Sequence, residues 1–178
     1  MKFTAIILAA GKGSRMKSAL PKPMHAVGGQ PMLGWSIDTA RAAGADRIVT
    51  VLGPDSNTIQ SWLGDINFVI QQEQLGTGHA VSAARDAVVE DDTISIIMFA
   101  DTPLVTAPSL QALINKVARG AAIAIAAFET QDPTGYGRLV QGDQGNILRI
   151  VEHAEASQCE RQITMCNGGI MAVRTKKL

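Results

Sequence analysis

Hydrophobic and polar positions alternate in blocks along the chain, from its start to about residue 128. Thr4 to Leu8 is almost wholly apolar and too short for a lone helix, which predicts a strand covered on both faces of a parallel sheet. Further strands are predicted at four later runs: Arg47–Leu52, Ile66–Gln71, Thr93–Phe99 and Ala121–Phe128. Helices are predicted between them: from Pro31 to Gly44, from a cap at Ser56 or Asn57 to Trp62, from His79 to Val89 and from Pro108 to Gly120.

This order of strands and helices predicts the class of fold. Repeated β-α-β units favour an α/β fold, a three-layer, Rossmann-like arrangement with a mostly parallel sheet and right-handed crossovers. The pattern changes after Phe128, where Arg138–Gln141 and Ile147–Glu152 flank a turn-forming Asp-Gln-Gly-Asn stretch. That spacing predicts a β-hairpin added to the core at its C-terminal side. No repeat or linker interrupts the chain, so we expect a single domain over residues 1–178.

Composition narrows the classes of protein. Of the 178 residues, 46% are hydrophobic and 18% charged, which is typical of a globular domain with one sizeable core. Sixteen basic residues balance sixteen acidic ones, so we expect neither a nucleic-acid nor a membrane partner. No signal peptide or membrane span is recognisable, and Cys159 and Cys166 match no metal-binding spacing. A cytoplasmic location with reduced thiols is expected.

The loop after the first strand is the first candidate for ligand chemistry. Ala9 to Arg15 lies where ligands bind in open α/β sheets, beyond the carboxyl end of a strand. Its glycines do not fit GxxxxGK[ST] or GxGxxG, which excludes a P-loop and a dinucleotide fingerprint. A solvated basic turn is the simplest alternative. Four cations close to a glycine loop repel one another, however, which favours a polyphosphate ligand; they are Lys12, Arg15, Lys17 and Lys22.

Two other predicted strands end in polar residues. Gln71 begins a segment rich in amides and glycines that leads into a helix, and its amide could pair with the uracil edge. A capped helix start, with Thr77 as the cap, explains the same residues at least as well, and His79 is best interpreted as a helix-face residue. Asp101 follows the strand ending at Phe99, and one carboxylate at such a rim suffices for Mg²⁺. A common Asp-Thr-Pro turn is the alternative there.

The motifs together resemble one family. LAAGKGSRMKSALPKPMH, beginning at Leu8, resembles the LAAGxGxRMxxxxPK signature of sugar-nucleotide pyrophosphorylases, and is most similar to N-acetylglucosamine-1-phosphate uridylyltransferase domains. QLGTGHA resembles that family's uridine-binding loop, and DPTGYGR, IVE and NGGI resemble its sugar-binding segments. Phe99-Ala100-Asp101 stands where the family has Tyr-Gly-Asp, and Gly168 where it usually has threonine.

The resemblance implies a nucleotidyltransferase fold, an activity and a set of site residues. We expect in-line attack of N-acetylglucosamine 1-phosphate on the α-phosphate of UTP, with Mg²⁺ at Asp101 and loss of pyrophosphate. The implied catalytic residues are Arg15, Lys22 and Asp101. The implied substrate-binding residues are Leu8, Ala9, Ala10, Gly11, Lys22, Gln71, Gly76, Thr77, Phe99, Ala100, Asp101, Gly137, Glu152 and Asn167.

Alternatives to this activity remain open at this stage. One is a related nucleotidyltransferase with another base or sugar, and the other is a sugar-nucleotide-binding protein without turnover. In the family, an asparagine beyond the position of Leu178 supplies a second metal ligand, and an acetyltransferase β-helix domain follows. We therefore expect this chain to be truncated relative to the family.

Overall fold

The computed structural model describes residues 2–11, 13, 16–88 and 93–178, and the chain divides into two compact units. Unit 1 comprises Met1–Ala124 with Met171–Leu178, and unit 2 comprises Ile125–Ile170. The single nucleotidyltransferase domain expected over residues 1–178 stays a prediction.

Ten strands and four α-helices lie within the described residues. The strands are β1 Phe3–Leu8, β2 Ala26–Val27, β3 Gln30–Pro31, β4 Arg47–Leu52, β5 Asn67–Ile70, β6 Ile94–Phe99, β7 Ile123–Glu129, β8 Arg138–Gln141, β9 Ile147–Val151 and β10 Met165–Arg174. The helices are α1 Met32–Ala42, α2 Asn57–Leu63, α3 Thr77–Ala83 and α4 Ala107–Ala118.

Unit 1 is built on a parallel sheet in the order β5-β4-β1-β6, which residues 171–174 of β10 extend by pairing antiparallel with β6. Strand β1 is central, and each of its six residues is buried. This explains its nearly continuous apolar sequence, because a strand covered on both faces has no side that faces water. The predicted α/β fold with a mostly parallel sheet is confirmed.

Helices cover the sheet of unit 1. Ile6 and Leu8 of β1 belong to a buried cluster with Ala80 and Ala84, from α3 and the residue after it. Alternate residues such as Ile7 point to the opposite side of the strand, and α1 and α4 contact each other and strands β1 and β6. Aliphatic side chains such as these form the buried cluster that stabilises the sheet.

Unit 2 contains the predicted hairpin. Strands β8 and β9 pair antiparallel, with a register shift between Val140 and Gln141, and the turn between them begins with Gly142. Strand β10 was not predicted, because Asn167-Gly168-Gly169 in its middle suggests a turn. A Cβ atom on Gly168 would lie 2.9 Å from the carbonyl oxygen of Ala126, so the close approach of β7 requires glycine there.

Three details differ from the predicted elements. The Ser56 hydroxyl donates to the Gly53 carbonyl (2.6 Å) and does not cap α2. Helix α3 ends at Ala83 and is followed by a short 3₁₀ turn, whereas the sequence predicted one helix to Val89, a residue outside the described range. Gly76, with a φ of 105°, occupies the cap position of α3 that was considered for Thr77. Across the described ranges, every helix is too short or too polar to cross a lipid bilayer.

Helix α4 generates a prediction about stability. Its cap is Thr106, whose hydroxyl accepts a hydrogen bond from the Ser109 backbone N–H. Thr106→Ala should lower the free energy of unfolding by about 0.5–1 kcal/mol, because the Ser109 N–H loses its side-chain acceptor and keeps only the Thr106 carbonyl (3.1 Å). Urea denaturation followed by circular dichroism measures this. Thr58→Ala, at an exposed position in α2, is the matched control, and equal losses in both variants would contradict the capping role.

Candidate active site

A cavity of about 600 Å³ opens in unit 1. It lies at the carboxyl ends of strands β1 and β6 and is also lined by the loop that follows β5. Its position is the one in which open α/β sheets bind ligands. It is large enough for a nucleotide-sized ligand, and its walls are partly polar. Its lining residues are Leu8, Ala9, Ala10, Gly11, Gly13, Met16, Lys22, Pro23, Gln71, Gln74, Gly76, Thr77, Ala80, Phe99, Ala100 and Asp101. Most residues implied for nucleotide binding are therefore brought together.

The glycine loop forms one wall of this cavity. A Cβ atom on Gly11 would meet no other atom within 4 Å, so its backbone borders open space. Gly13 has a φ of 59°, and a Cβ atom there would lie 2.7 Å from the Cβ atom of Lys22. Both the positive φ of Gly13 and the lack of space beside the Lys22 side chain thus require glycine at this position. The loop cations Lys12 and Arg15, including the predicted catalytic Arg15, lie outside the described residues.

Sheet hydrogen bonds continue past the end of β1. The Ala9 N–H donates to the Val51 carbonyl (2.8 Å), and the Ala100 N–H donates to the Leu8 carbonyl (3.0 Å). The Ala9 donor that a bound phosphate would need is therefore already used within the sheet. Of the residues from Leu8 to Gly11, Gly11 at the open end of the loop is best suited to offer its backbone N–H.

Lys22 and Asp101 form an ion pair in the cavity wall, between Nζ and Oδ2. Lys22 begins a 3₁₀ helix between Pro21 and Pro23, and Asp101 follows β6. The two side chains are 34% and 32% exposed, so a ligand in the cavity has access to both. Lys22 contacts one of the two carboxylate oxygens of Asp101. A single accessible carboxylate fits Mg²⁺, which takes few ligands from the protein and the rest from phosphate and water.

The turn that carries Asp101 is held by two hydroxyl groups. Ser36 of α1 is 1% exposed and donates to the Phe99 carbonyl (3.2 Å), as does Thr102 (2.9 Å). These hydrogen bonds fix the last carbonyl group of β6, two residues before Asp101. Ser36 was not predicted as a site residue, since nothing in its local pattern distinguishes it from other helical serines.

Gln71 is 3% exposed, and its amide is fixed by two neighbours. Its Nε2 lies 3.3 Å from the Gly76 carbonyl oxygen and 3.0 Å from Nδ1 of His79. A carbonyl can only accept, so Gly76 identifies this atom as the NH₂ group, and Nδ1 of His79 must then be an acceptor. The Gln71 carbonyl oxygen is left as the amide atom able to accept from a ligand. His79 is an exposed residue of α3, and its Nδ1 atom helps to fix the orientation of the Gln71 amide.

Gln74 was not among the predicted site residues. Its Nε2 donates to the Ala10 carbonyl, which connects the loop after β5 to the glycine loop. Gly53 lies beside this contact, because a Cβ atom there would be 2.9 Å from Nε2 of Gln74 and 3.3 Å from the Ala10 oxygen. Only its place within the QEQLGTG segment could have suggested a role for Gln74.

The residues implied for sugar binding in unit 2 lie close together. The Asn167 N–H donates to the Gly137 carbonyl (2.8 Å), and a Cβ atom on Gly137 would lie 3.2 Å from Oε1 of Glu152. In the preceding loop, the hydroxyl and backbone N–H of Thr134 hold the pKa of Asp132 below its usual value. Asp132 thus acts as a turn residue. Asn167 presents an amide, Glu152 a carboxylate, and Gly137 a backbone without a side chain.

Comparison with known proteins identifies the family. Residues 5–167 match the family model of the MobA-like NTP transferase domain. The chain belongs to this NTP transferase family. It is 43% identical over 178 residues to the bifunctional protein GlmU of Parvibaculum lavamentivorans, and 43% identical over 180 residues to that of Pseudomonas aeruginosa. These alignments cover 98% and 100% of the chain but 39% of each relative, so the chain spans about two fifths of their length.

Solved structures agree on the fold of this NTP transferase domain. A UDP-glucose pyrophosphorylase complexed with UDP-glucose superposes with a TM-score of 0.79 at 17% identity, covering 99% of this chain and 77% of that one. HddC from Yersinia pseudotuberculosis superposes with a TM-score of 0.73 at 24% identity, covering 97% and 77%. The predicted family and the Rossmann-like fold are confirmed. Nucleotidyltransferases of this family generally use a divalent metal, and the described residues contain no cluster of three or more His, Cys, Asp or Glu side chains suited to one.

Proposed function

We propose that this chain transfers a uridylyl group from UTP to N-acetylglucosamine 1-phosphate and releases pyrophosphate. The observation that carries the proposal is the convergence of Gly11, Lys22, Gln71 and Asp101 on one cavity of unit 1. These residues supply a backbone donor, a cation, a base-pairing amide and a metal-binding carboxylate. The 43% identity to GlmU proteins supports the same chemistry.

The reaction needs positioning more than proton transfer. The phosphate oxygen of the sugar phosphate attacks the α-phosphorus of UTP in line, a P–O bond forms, and the bond to the β-phosphate oxygen breaks. A phosphomonoester with a second pKa near 6 is already largely dianionic at pH 7, so no general base is required. The protein must hold the two anions together and neutralise the charge that moves to pyrophosphate.

Lys22 and Gly11 are the described residues suited to that task. The ammonium group of Lys22 reaches the cavity and carries one positive charge, and the Gly11 backbone borders open space. We propose that Lys22 binds the phosphates of UTP and that the Gly11 N–H donates to a non-bridging oxygen. Arg15 is proposed to act on the same phosphates.

Asp101 would hold Mg²⁺. When bound, the ion would polarise and neutralise phosphate oxygens. Asp101 accepts from Lys22 in the described structure, so the same carboxylate also holds the ammonium group at the phosphate-binding end of the cavity. Ser36 and Thr102 support this arrangement through the Phe99 carbonyl.

Base selection is proposed to depend on Gln71, together with the backbone of Gly76 and Thr77. The Gln71 NH₂ group is used by Gly76 and His79, so its carbonyl oxygen would accept from the ligand. Uracil offers an N3–H donor at that place, whereas cytosine offers a lone pair on N3. A buried acceptor facing a lone pair is unpaired, which disfavours cytosine.

Gly137, Glu152 and Asn167 are proposed to bind the N-acetylated sugar. The carboxylate of Glu152 can accept from sugar hydroxyls, and the amide of Asn167 can both donate and accept. In the structure, Oδ1 of Asn167 accepts from the Gly169 N–H (2.9 Å), which orients its NH₂ group outward from that turn. The absent Cβ atom of Gly137 leaves room beside Glu152.

The assay that tests the proposal measures pyrophosphate released from UTP and N-acetylglucosamine 1-phosphate in the presence of MgCl₂. We expect release that requires both substrates, and the reaction without sugar phosphate is the control. Binding of UDP-N-acetylglucosamine without any turnover would instead indicate a sensor. That alternative is favoured by Ala100, where the family has glycine, and the assay with CTP and GTP tests other nucleotidyltransferases.

The proposed base contact can be tested by calorimetry with UTP and CTP. Wild type should prefer UTP by roughly 1–3 kcal/mol, the cost of a buried acceptor left unpaired. Gln71→Ala should remove most of this preference, and Gln72→Ala, at an exposed neighbouring position, should keep it. Equal affinities of the wild type for both nucleotides would contradict the assignment.

Asp101→Asn separates the proposed metal-binding role from a structural role. The ion pair with Lys22 joins groups that are about one-third exposed, so its loss should change stability by less than about 1 kcal/mol. Turnover with Mg²⁺ should be abolished, while the melting temperature stays close to that of the wild type. Asp38→Asn, which alters a surface ion pair with Arg41, is the control. A strongly destabilised variant with unchanged activity per folded molecule would make Asp101 a turn residue.

A further inference from the structure

The segments that follow three neighbouring strands of unit 1 come together where Gln74 contacts Ala10. Ala10 follows β1, Gly53 follows β4, and Gln74 lies in the loop after β5. Since the strand order is β5-β4-β1, β4 lies between the other two. The Gln74 side chain therefore reaches across the end of β4 to donate to the Ala10 carbonyl.

Gly53 lies on the route of this side chain. A Cβ atom there would be 2.9 Å from Nε2 of Gln74, closer than real Cβ contacts come. Gly53 is not among the glycines with a positive φ, so its backbone conformation does not require glycine. The space needed by Gln74 and the Ala10 carbonyl is the reason that the structure offers for a glycine at this position.

The direction of the Ala10 carbonyl decides the direction of the next N–H group. A trans peptide unit is planar, and its C=O and N–H bonds point to opposite sides. When Gln74 holds the Ala10 oxygen, the Gly11 N–H points away from Gln74. Gly11 borders open space in the cavity, and its N–H is the donor proposed for a phosphate oxygen.

We infer that Gln74 is a positioning residue, which aims the Gly11 N–H at the nucleotide phosphates through the Ala10 carbonyl. Gly53 makes this contact possible by leaving space for it. The inference rests on the proposed function, because it concerns phosphate binding at the same site. It adds a direct connection between the segment that contacts the base and the loop that contacts the phosphates.

The test compares binding of UTP with binding of uridine, which lacks phosphates. Gln74→Ala and Gln74→Glu should weaken UTP binding by about 3- to 10-fold, the effect of losing one hydrogen bond. Uridine affinity should change by less than about twofold. Gln72→Ala is the matched control and should change neither. A parallel loss of UTP and uridine affinity would show a general effect on the loop and would overturn the inference.

Gly53→Ala provides a second, independent way to break the contact. Alone it should weaken UTP binding about as much as Gln74→Ala does. Combined with Gln74→Ala it should cause no more than about a further twofold loss, because the obstructed side chain is already absent. The contact that remains, 3.3 Å between the new Cβ atom and the Ala10 oxygen, needs only a small shift of the neighbouring backbone. Losses that multiply in the double variant would show that Gly53 and Gln74 act separately, contrary to the inference.

The amide signal of Gly11 in a ¹⁵N NMR spectrum of the free protein gives a readout that needs no nucleotide. It should shift in Gln74→Ala, Gln74→Glu and Gly53→Ala, and stay in place in Gln72→Ala. If the wild type bound no UTP, the proposed function would fail, and this signal would still decide whether Gln74 and Gly53 position the Gly11 N–H. An unchanged Gly11 signal in all three variants would refute it.

Discussion

Strand β1 is paired with a parallel strand on each edge, and all six of its residues are buried. Each large aliphatic side chain buried there contributes about 1.5–3 kcal/mol relative to an exposed one, whereas the ion pair of Lys22 and Asp101, whose side chains are about one-third exposed, is worth at most about 1 kcal/mol. The core therefore fixes where β1, β4 and β6 end. The positions of the polar residues that follow these strands are therefore set by the packing of the core, and these residues contribute little to the stability of the fold.

Polar groups are nevertheless well organised at this rim, through contacts that join distant parts of the sequence. Gln74 and Ala10 are 64 positions apart, and Ser36 and Phe99 are 63 apart. Each contact ends on a backbone carbonyl just beyond or at the end of a strand, where sheet pairing stops. Side-chain donors at those carbonyls replace the missing sheet partners, since buried or half-buried carbonyls are costly when unpaired. The same contacts hold the loop and the turn on which the proposed chemistry depends.

The elements that the sequence predicted best are those whose pattern is local. Consecutive apolar residues predicted β1 and β6 within one residue, and the glycine loop was recognised from its own string. Strand β10 was missed because its glycines are explained only by the neighbouring backbone, as the contact of Gly168 with Ala126 shows. Gln74 and Ser36 were missed for a similar reason. Their partners are determined by the order of strands in the sheet, and no spacing along the chain encodes that order.

The orientation of one amide shows how such contacts determine chemistry. An isolated glutamine can present either a donor or an acceptor, so Gln71 alone does not discriminate between bases. The Gly76 carbonyl removes that freedom, because it can be satisfied only by the NH₂ group. Nδ1 of His79 then accepts the second hydrogen of this NH₂ group. The base selectivity proposed for Gln71 would thus depend on a backbone carbonyl and a histidine acceptor that need not contact the nucleotide.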